Sequence, residues 1–140
     1  MKTNTCVASL LSACFALGIS VANAESLDAF LKRNLVSVIN AGDLHPEGKY
    51  IQYVGREVFS LNSSQFLSLH QKNRSMGTKT EILDFKILSK YETGDLVSVV
   101  VKAKVRARVG SSETVGEVLS HDILLNQGGR WVSVFSIGRQ

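Results

Sequence analysis

His121-Asp122 is the pair in this chain whose residue types could do acid–base chemistry. An imidazole and a carboxylate can between them take up and return a proton near neutral pH. The pair lies in a run, 113–126, that reads as a β-strand, so its two members point to opposite faces and only one can enter a cavity. With His121 inward, it joins Val115, Glu117, Leu119, Ile123 and Leu125. Glu117 is then four residues away on the same side, roughly 13 Å by strand rise, too far for a direct hydrogen bond. With Asp122 inward, it joins Gly116, Val118, Ser120 and Leu124. A carboxyl in a dry pocket has a raised pKa and can act as a general base. The plainer reading is a surface His-Asp near a strand end.

Asp84 offers a second carboxylate, between Leu83 and Phe85 in an apolar strand. It shares a face with Ile82, Lys86 and Leu88, and Leu83, Phe85 and Ile87 make the better core face, which turns Asp84 outward. Tyr50, Tyr53, His70 and Trp131 are the candidates for lining a ligand site, with Tyr91 a further hydroxyl. For the aromatic residues the plainer reading is core packing with the polar atom at its edge. His70 sits at the border of a helix stripe. With His45 and His121 it makes three scattered histidines without metal-ligand spacing, so no metal or cofactor is expected.

Lys102, Lys104, Arg106 and Arg108 alternate with apolar residues and put four cations on one strand face over roughly 20 Å. Such a stripe could receive an acidic protein or a lipid headgroup, or form a solvated face that discourages sheet stacking. No aromatics interleave it, which argues against single-stranded nucleic acid.

The elements that must position these residues follow from periodicity. Leu27, Phe30, Leu31, Leu35, Val38 and Ile39 recur at three- and four-residue steps and predict an amphipathic helix over 27–40, capped by Ser26 and stopped by Gly42. Within 43–62, His45-Pro46-Glu47-Gly48 reads as a turn, and Lys49 to Leu61 admits two readings, a short helix then a strand, or one irregular strand. A second helix is expected at about 64–74, capped by Ser63 or Ser64. Strands are expected at 80–90, 95–109, 113–126 and 130–138, separated by turns at Thr93-Gly94-Asp95, Gly110-Ser111-Ser112 and Asn126-Gln127-Gly128-Gly129. One buried and one solvated face per strand means an antiparallel sheet with helices on one side.

The start of the chain reads as an export signal: Lys2, an apolar run from Cys6 to Val21, and Ala22-Asn23-Ala24 before Glu25. The run falls short of the roughly 20 residues of a spanning helix. The expectation is cleavage after residue 24, a single domain over 25–140, and a periplasmic or extracellular location. Leu11-Ser12-Ala13-Cys14 also spells a lipoprotein cleavage site, a minor alternative that would anchor the chain at Cys14. Both cysteines, Cys6 and Cys14, lie in the signal, so the remainder has no disulfide. It carries 15 basic and 12 acidic side chains, a net charge of +3, too little to argue nucleic acid.

The order of parts, with the helix exit Asn40-Ala41-Gly42-Asp43-Leu44 and the hairpin Gly128-Gly129-Arg130-Trp131, resembles the nuclear transport factor two-like superfamily. That group includes SnoaL-like proteins and ketosteroid isomerase. The resemblance implies an α+β cone, with N-terminal helices packed on a curved four- to five-stranded antiparallel sheet around an apolar cavity. It implies dimerisation through the sheet as an option, and places Tyr50 and Tyr53 in a segment that often rims the cavity. The chain departs from the catalytic members. They contribute a tyrosine from the first helix, whereas the stripe from Leu27 to Ile39 holds no tyrosine, histidine or acid, and Pro46 and Gly48 interrupt the short second helix.

Three functions follow. The first is a non-catalytic exported module that binds a small apolar ligand or a protein partner. The second is an isomerase or dehydratase in which Asp84 or Asp122 abstracts a proton beside a carbonyl and Tyr50 or Tyr53 stabilises the enolate. The third is an accessory subunit engaged through Lys102 to Arg108.

Overall fold

The computed structural model describes residues 24–139. The export signal and Cys14 lie outside the described residues. Helix α1 spans Leu27–Leu35, with Ser26 Oγ accepting from the Ala29 N–H at 3.2 Å. It ends earlier than the apolar period predicts. Ser37 has φ 62°, in the left-handed region that an L side chain adopts at a cost, and the β-branched residues Val36, Val38 and Ile39 add little helix propensity. Ile39 is still buried, but from an extended segment that leads into the 3-10 turn Ala41–Asp43.

Residues 44–62 form neither of the two readings above but a β-hairpin, β1 (Leu44–Val54) and β2 (Glu57–Asn62), joined by Gly55-Arg56 with Gly55 at φ 62°. Pro46 occupies the stretch of β1 where the pairing with its neighbour shifts register, which suits a residue without an N–H. Helix α2 runs Ser63–Ser75, and its cap is Asn62, one residue before the expected cap. Asn62 Oδ1 accepts from the Gln65 N–H at 2.9 Å and the Asn62 N–H donates to Gln65 Oε1 at 3.0 Å, a reciprocal box. The strands β3 (Lys79–Thr93), β4 (Leu96–Val109), β5 (Ser112–Gln127) and β6 (Arg130–Arg139) follow the expected positions.

The six strands form one sheet in the order β2-β1-β6-β5-β4-β3. All neighbours are antiparallel except β1 and β6, which run parallel. The expected four- to five-stranded antiparallel sheet is therefore corrected to a six-stranded mixed one, because the 44–62 hairpin adds two strands beside β6. Register shifts at Ile82/Asp84, Ile87/Ser89 and Ile123/Leu124 mark bulges, which bend strands and increase twist.

The apolar interior is divided. One cluster joins Phe30 and Leu31 of α1 to Val99, Val101 and Leu124 of the sheet. The other joins Ile39, Leu44, Tyr50 and Phe66, beneath α2. Each cluster ties one helix to one half of the sheet, and the space between the two clusters is hollow.

The two motifs that carry the family resemblance meet in space. A Cβ at Gly42 would collide with the Arg130 guanidinium, so the glycine admits that arginine against the 3-10 turn. Asp43 accepts from Arg33 Nη1 at 2.6 Å and from the Asn40 N–H at 2.7 Å. Arg33 also grips Glu25, at 2.9 and 2.8 Å, and Trp131 Nε1 donates to the Glu25 carbonyl at 2.9 Å. Burial pushes the Asp43 carboxyl up, but the Arg33 bonds, the Asn40 N–H and the charges of Arg33 and Arg130 outweigh it and hold the group below its ordinary range.

Candidate functional site

The hollow between the clusters is a cavity of about 150 Å³. The inward positions of the sheet explain it. On adjacent strands Ser120 pairs with Gly138 and Asp122 with Ser136, so small side chains stand where a filled core would carry leucine or phenylalanine. Gln52 of β1 lies over Gly138, where a Cβ would come within 3.2 Å of its amide. From above, α1 supplies Leu31, Asn34 and Leu35, and α2 supplies Phe66, Leu69, His70 and Asn73. Leu35, Ser37, Asn73 and Val118 also line a wider recess of about 340 Å³, which extends the cavity past Thr80, Val105 and Thr114.

Asp122 is the one charged residue on the cavity wall. Its Oδ2 accepts from Ser120 Oγ at 2.7 Å, and Ser136 is a second hydroxyl partner. Burial raises the carboxyl above its ordinary range, and the two serines and His121 offset only part of that. On the opposite wall His70 Nδ1 lies 2.9 Å from Ser37 Oγ, and its ring meets Phe66 edge-on with centroids 4.4 Å apart. Burial depresses His70 to about 4, so the ring is neutral at pH 7. Asn34 Oδ1 is buried without a hydrogen-bond partner.

The other expected site residues lie elsewhere. His121 points to the outer sheet face, where Nε2 is 2.8 Å from Ser98 Oγ. Asp84 is exposed and accepts from the Phe85 N–H. Tyr50 is fully buried, stacked on Phe66 at 4.3 Å, and its hydroxyl donates to the Ser133 carbonyl at 2.8 Å. Burial raises its pKa, and it does not line the cavity. Tyr53 is three positions further along β1 and therefore on the outer face, in a shallow apolar recess with Val100, Leu119 and Ile137. Trp131 packs against the first core cluster. Of the ligand-lining candidates, His70 alone reaches the cavity, because the alternation of β1 turns Gln52 rather than Tyr53 inward.

The basic stripe is largely paired. Lys102 reaches Glu117 at 3.3 Å, Arg106 reaches Glu81 at 3.0 Å and Glu113 at 3.1 Å, and Arg108 reaches Glu113 at 2.7 Å. Lys104 has no ion-pair partner among the described residues. No group of three or more metal-ligating side chains comes together among the described residues, and no helix there is long and apolar enough to cross a membrane.

Sequence reasoning did not single out Ser37, Gln52 or Ser136, and the helical period puts Asn34 largely on the wet side, where the structure instead turns it to the cavity. The signal for Gln52 and Ser136 was faint: serine, glycine and glutamine at inward-facing positions of otherwise apolar strands.

No family model matches the chain, and no curated protein does. Solved structures do. A ketosteroid isomerase-like protein from Erwinia carotovora atroseptica is similar with a TM-score of 0.58 at 12% identity, over 89% of this chain and 90% of that one. An NTF2-like protein of unknown function in nutrient uptake from Rhodospirillum rubrum gives 0.60 at 14% identity, over 82% and 98%. A domain with a cystatin-like fold from Nostoc punctiforme gives 0.52 at 14% identity, over 91% and 75%. The chain has the nuclear transport factor two-like, cystatin-like α+β fold.

Proposed function

We propose that this protein is a binding module whose cavity receives a small ligand with a largely apolar body and a polar end. The observation that carries the reading is the split interior: two apolar clusters leave a hollow of about 150 Å³ with a single carboxyl on its wall. Leu31, Leu35, Phe66 and Val101 offer apolar contact, and Asp122, Ser136 and Gln52 offer polar contact. The likeness to a ketosteroid isomerase-like protein supports the fold and leaves the chemistry to these residues. Export, resting on residues 1–24, would put the module outside the cytoplasm.

Two features support the binding reading over catalysis. Tyr50 and Tyr53, the proposed enolate stabilisers, are outside the cavity, and Asp84 is on the outer face. The enzymatic alternative rests on Asp122 alone, with neutral His70 across the cavity as its one companion. The outer apolar recess at Tyr53, Leu119 and Ile137 supports a second copy of the chain as a partner, read by light scattering.

The test is a fragment screen by thermal shift on the wild type and on Val118→Phe. Val118 stands where cavity and recess meet, so the larger side chain plugs the passage. Fragments that shift the wild type and not the variant support the reading. An unresponsive wild type, or equal shifts in both, would overturn it. Deuterium exchange next to a ligand carbonyl, lost in Asp122→Asn, would move the assignment to the isomerase alternative.

A further inference from the structure

We infer that the ligand of this cavity is a small cationic amine, held by Asp122. The inference rests on the cavity-binding reading and narrows its ligand class. It begins with a count of donors and acceptors. The Ser120 and Ser136 hydroxyls both turn to Asp122, which occupies the nearest donors. A carboxylate has room for about four hydrogen bonds, so acceptor capacity is left over. A group that completes this wall must bring N–H or O–H donors.

Charge selects among the donor-bearing groups. No cation lines the cavity itself, and Arg74 and Glu117 line only the recess beyond it. The titratable groups near Asp122 are Tyr50 from β1, whose phenol burial keeps neutral, His70 from α2, which is neutral at pH 7, and His121 on the far face of its own strand. The walls from α1, β1, β4 and β6 bring Asn34, Gln52, Val101, Ser136 and Gly138, none of them ionisable. A carboxylate or phosphate ligand would meet a lone negative charge. An alcohol would bring one donor and no charge. A primary ammonium brings three N–H donors and the missing countercharge, and in a site removed from water an opposite charge has its largest effect. A cavity of about 150 Å³ is the size that takes up benzene when its walls are apolar, which sets the scale of the ligand body. A benzylamine-sized molecule fits that description, with its ring against Leu31 and Val101.

Occupation has a proton signature. The ammonium favours the ionised form of Asp122, so the fraction of Asp122 that was protonated releases its proton to the buffer as the amine binds. The amine itself enters already charged.

The experiment is calorimetric titration of the purified protein at pH 7 with benzylamine, benzyl alcohol and benzoate, each in two buffers of different ionisation enthalpy. The expected result is that benzylamine binds at least tenfold tighter than the alcohol, benzoate does not bind, and any buffer dependence has the sign of proton release and never of uptake. Asp122→Asn should lose at least tenfold in benzylamine affinity while melting no lower than the wild type. Binding of the alcohol or benzoate at equal or better affinity would overturn the amine inference and leave the cavity reading standing. Benzylamine binding that Asp122→Asn retains would do the same. Failure of all three probes, together with a wild type unresponsive in the fragment screen, would remove both.

Discussion

His70 Nδ1 and Ser37 Oγ lie 2.9 Å apart, and that contact ties the second helix to the residue at which the first helix ends. Ser37 holds φ 62°, the sole non-glycine positive φ among the described residues. A strained backbone position of this kind persists where its surroundings fix it, and here it brings a hydroxyl to the cavity wall. His70 accordingly sits with its ring desolvated and its pKa pulled down to about 4.

That depression makes acid sensitivity the first prediction. The unfolded chain takes up a proton on His70 near pH 6.5, whereas the folded chain resists until about 4. The neutral ring's contribution is complete above pH 6.5 and declines as pH falls through that window, by at most about 3 kcal/mol. His70→Gln keeps a side chain able to bond Ser37 and removes the titration. Urea unfolding between pH 7 and 4 should show a shallower loss of stability in the variant. Identical slopes would contradict the buried neutral ring.

Asp122 gives the opposite sign. Its folded pKa is raised, so the unfolded carboxyl ionises first as pH climbs, and stability falls through the interval between the two values. Asp122→Asn keeps an acceptor for Ser120 and Ser136 without the charge. It should be more stable than the wild type at pH 7, by about 1 kcal/mol, with the gap closing towards pH 4. Melting temperatures across that range are the measurement, and a variant less stable at pH 7 would contradict it.

Tyr50 separates structure from chemistry. Its hydroxyl donates to the Ser133 carbonyl at 2.8 Å, and Gly48 is obligatory beside it because a Cβ there would strike the phenol ring. Tyr50→Phe removes that buried hydrogen bond and should cost about 1–2 kcal/mol. Cavity binding should be unchanged in the folded variant. A loss of ligand affinity out of proportion to the loss of stability would return Tyr50 to the site.

Much of this fold was legible from alternation alone. Val97, Val99, Val101 and Ala103 against Lys102 and Lys104 fix which face of β4 is buried, and the turns at Gly94, Gly110 and Gly128 fix the hairpins. The 44–62 hairpin was not legible, since Pro46 and Gly48 disguise β1 and its parallel pairing with β6 is a tertiary fact. The cavity was half legible. Asp122, Ser120, Val118 and Gly116 follow as one face once the inward side of β5 is chosen, but period two does not say which side that is. The choice is made by Leu124, buried at 1% exposure, which commits Asp122 to the interior. Ser37 carries no periodic signal at all, because it belongs to a helix end set by backbone strain, and the helical period puts Asn34 on the wet side rather than in the cavity.

The resemblance motifs yield the last prediction, through Arg33. Its guanidinium bridges Glu25 and Asp43 and thereby joins the chain before α1 to the turn after it. Both carboxylates raise its already high pKa, Glu25 most. The Asp43 side chain keeps only 10% of its surface exposed, against 33% for Glu25, so the two pairs differ in how much water screens them. Arg33→Gln should cost about 2–3 kcal/mol in chemical unfolding, since it strands the Asp43 carboxylate beside the Asn40 N–H. Glu25→Gln should cost under about 1 kcal/mol. Because Asp43 stays ionised in the fold below the pKa it has unfolded, its contribution is present above about pH 4 and is lost as acid protonates it. The Arg33→Gln penalty should therefore shrink at pH 3. Arg33→Met combined with Asp43→Leu should lose less than the two single losses added, because the more buried carboxylate, Asp43, is then not left without its partner. Strict additivity in that cycle would show that Arg33 and Asp43 act independently and that the clamp does not hold the two motifs together.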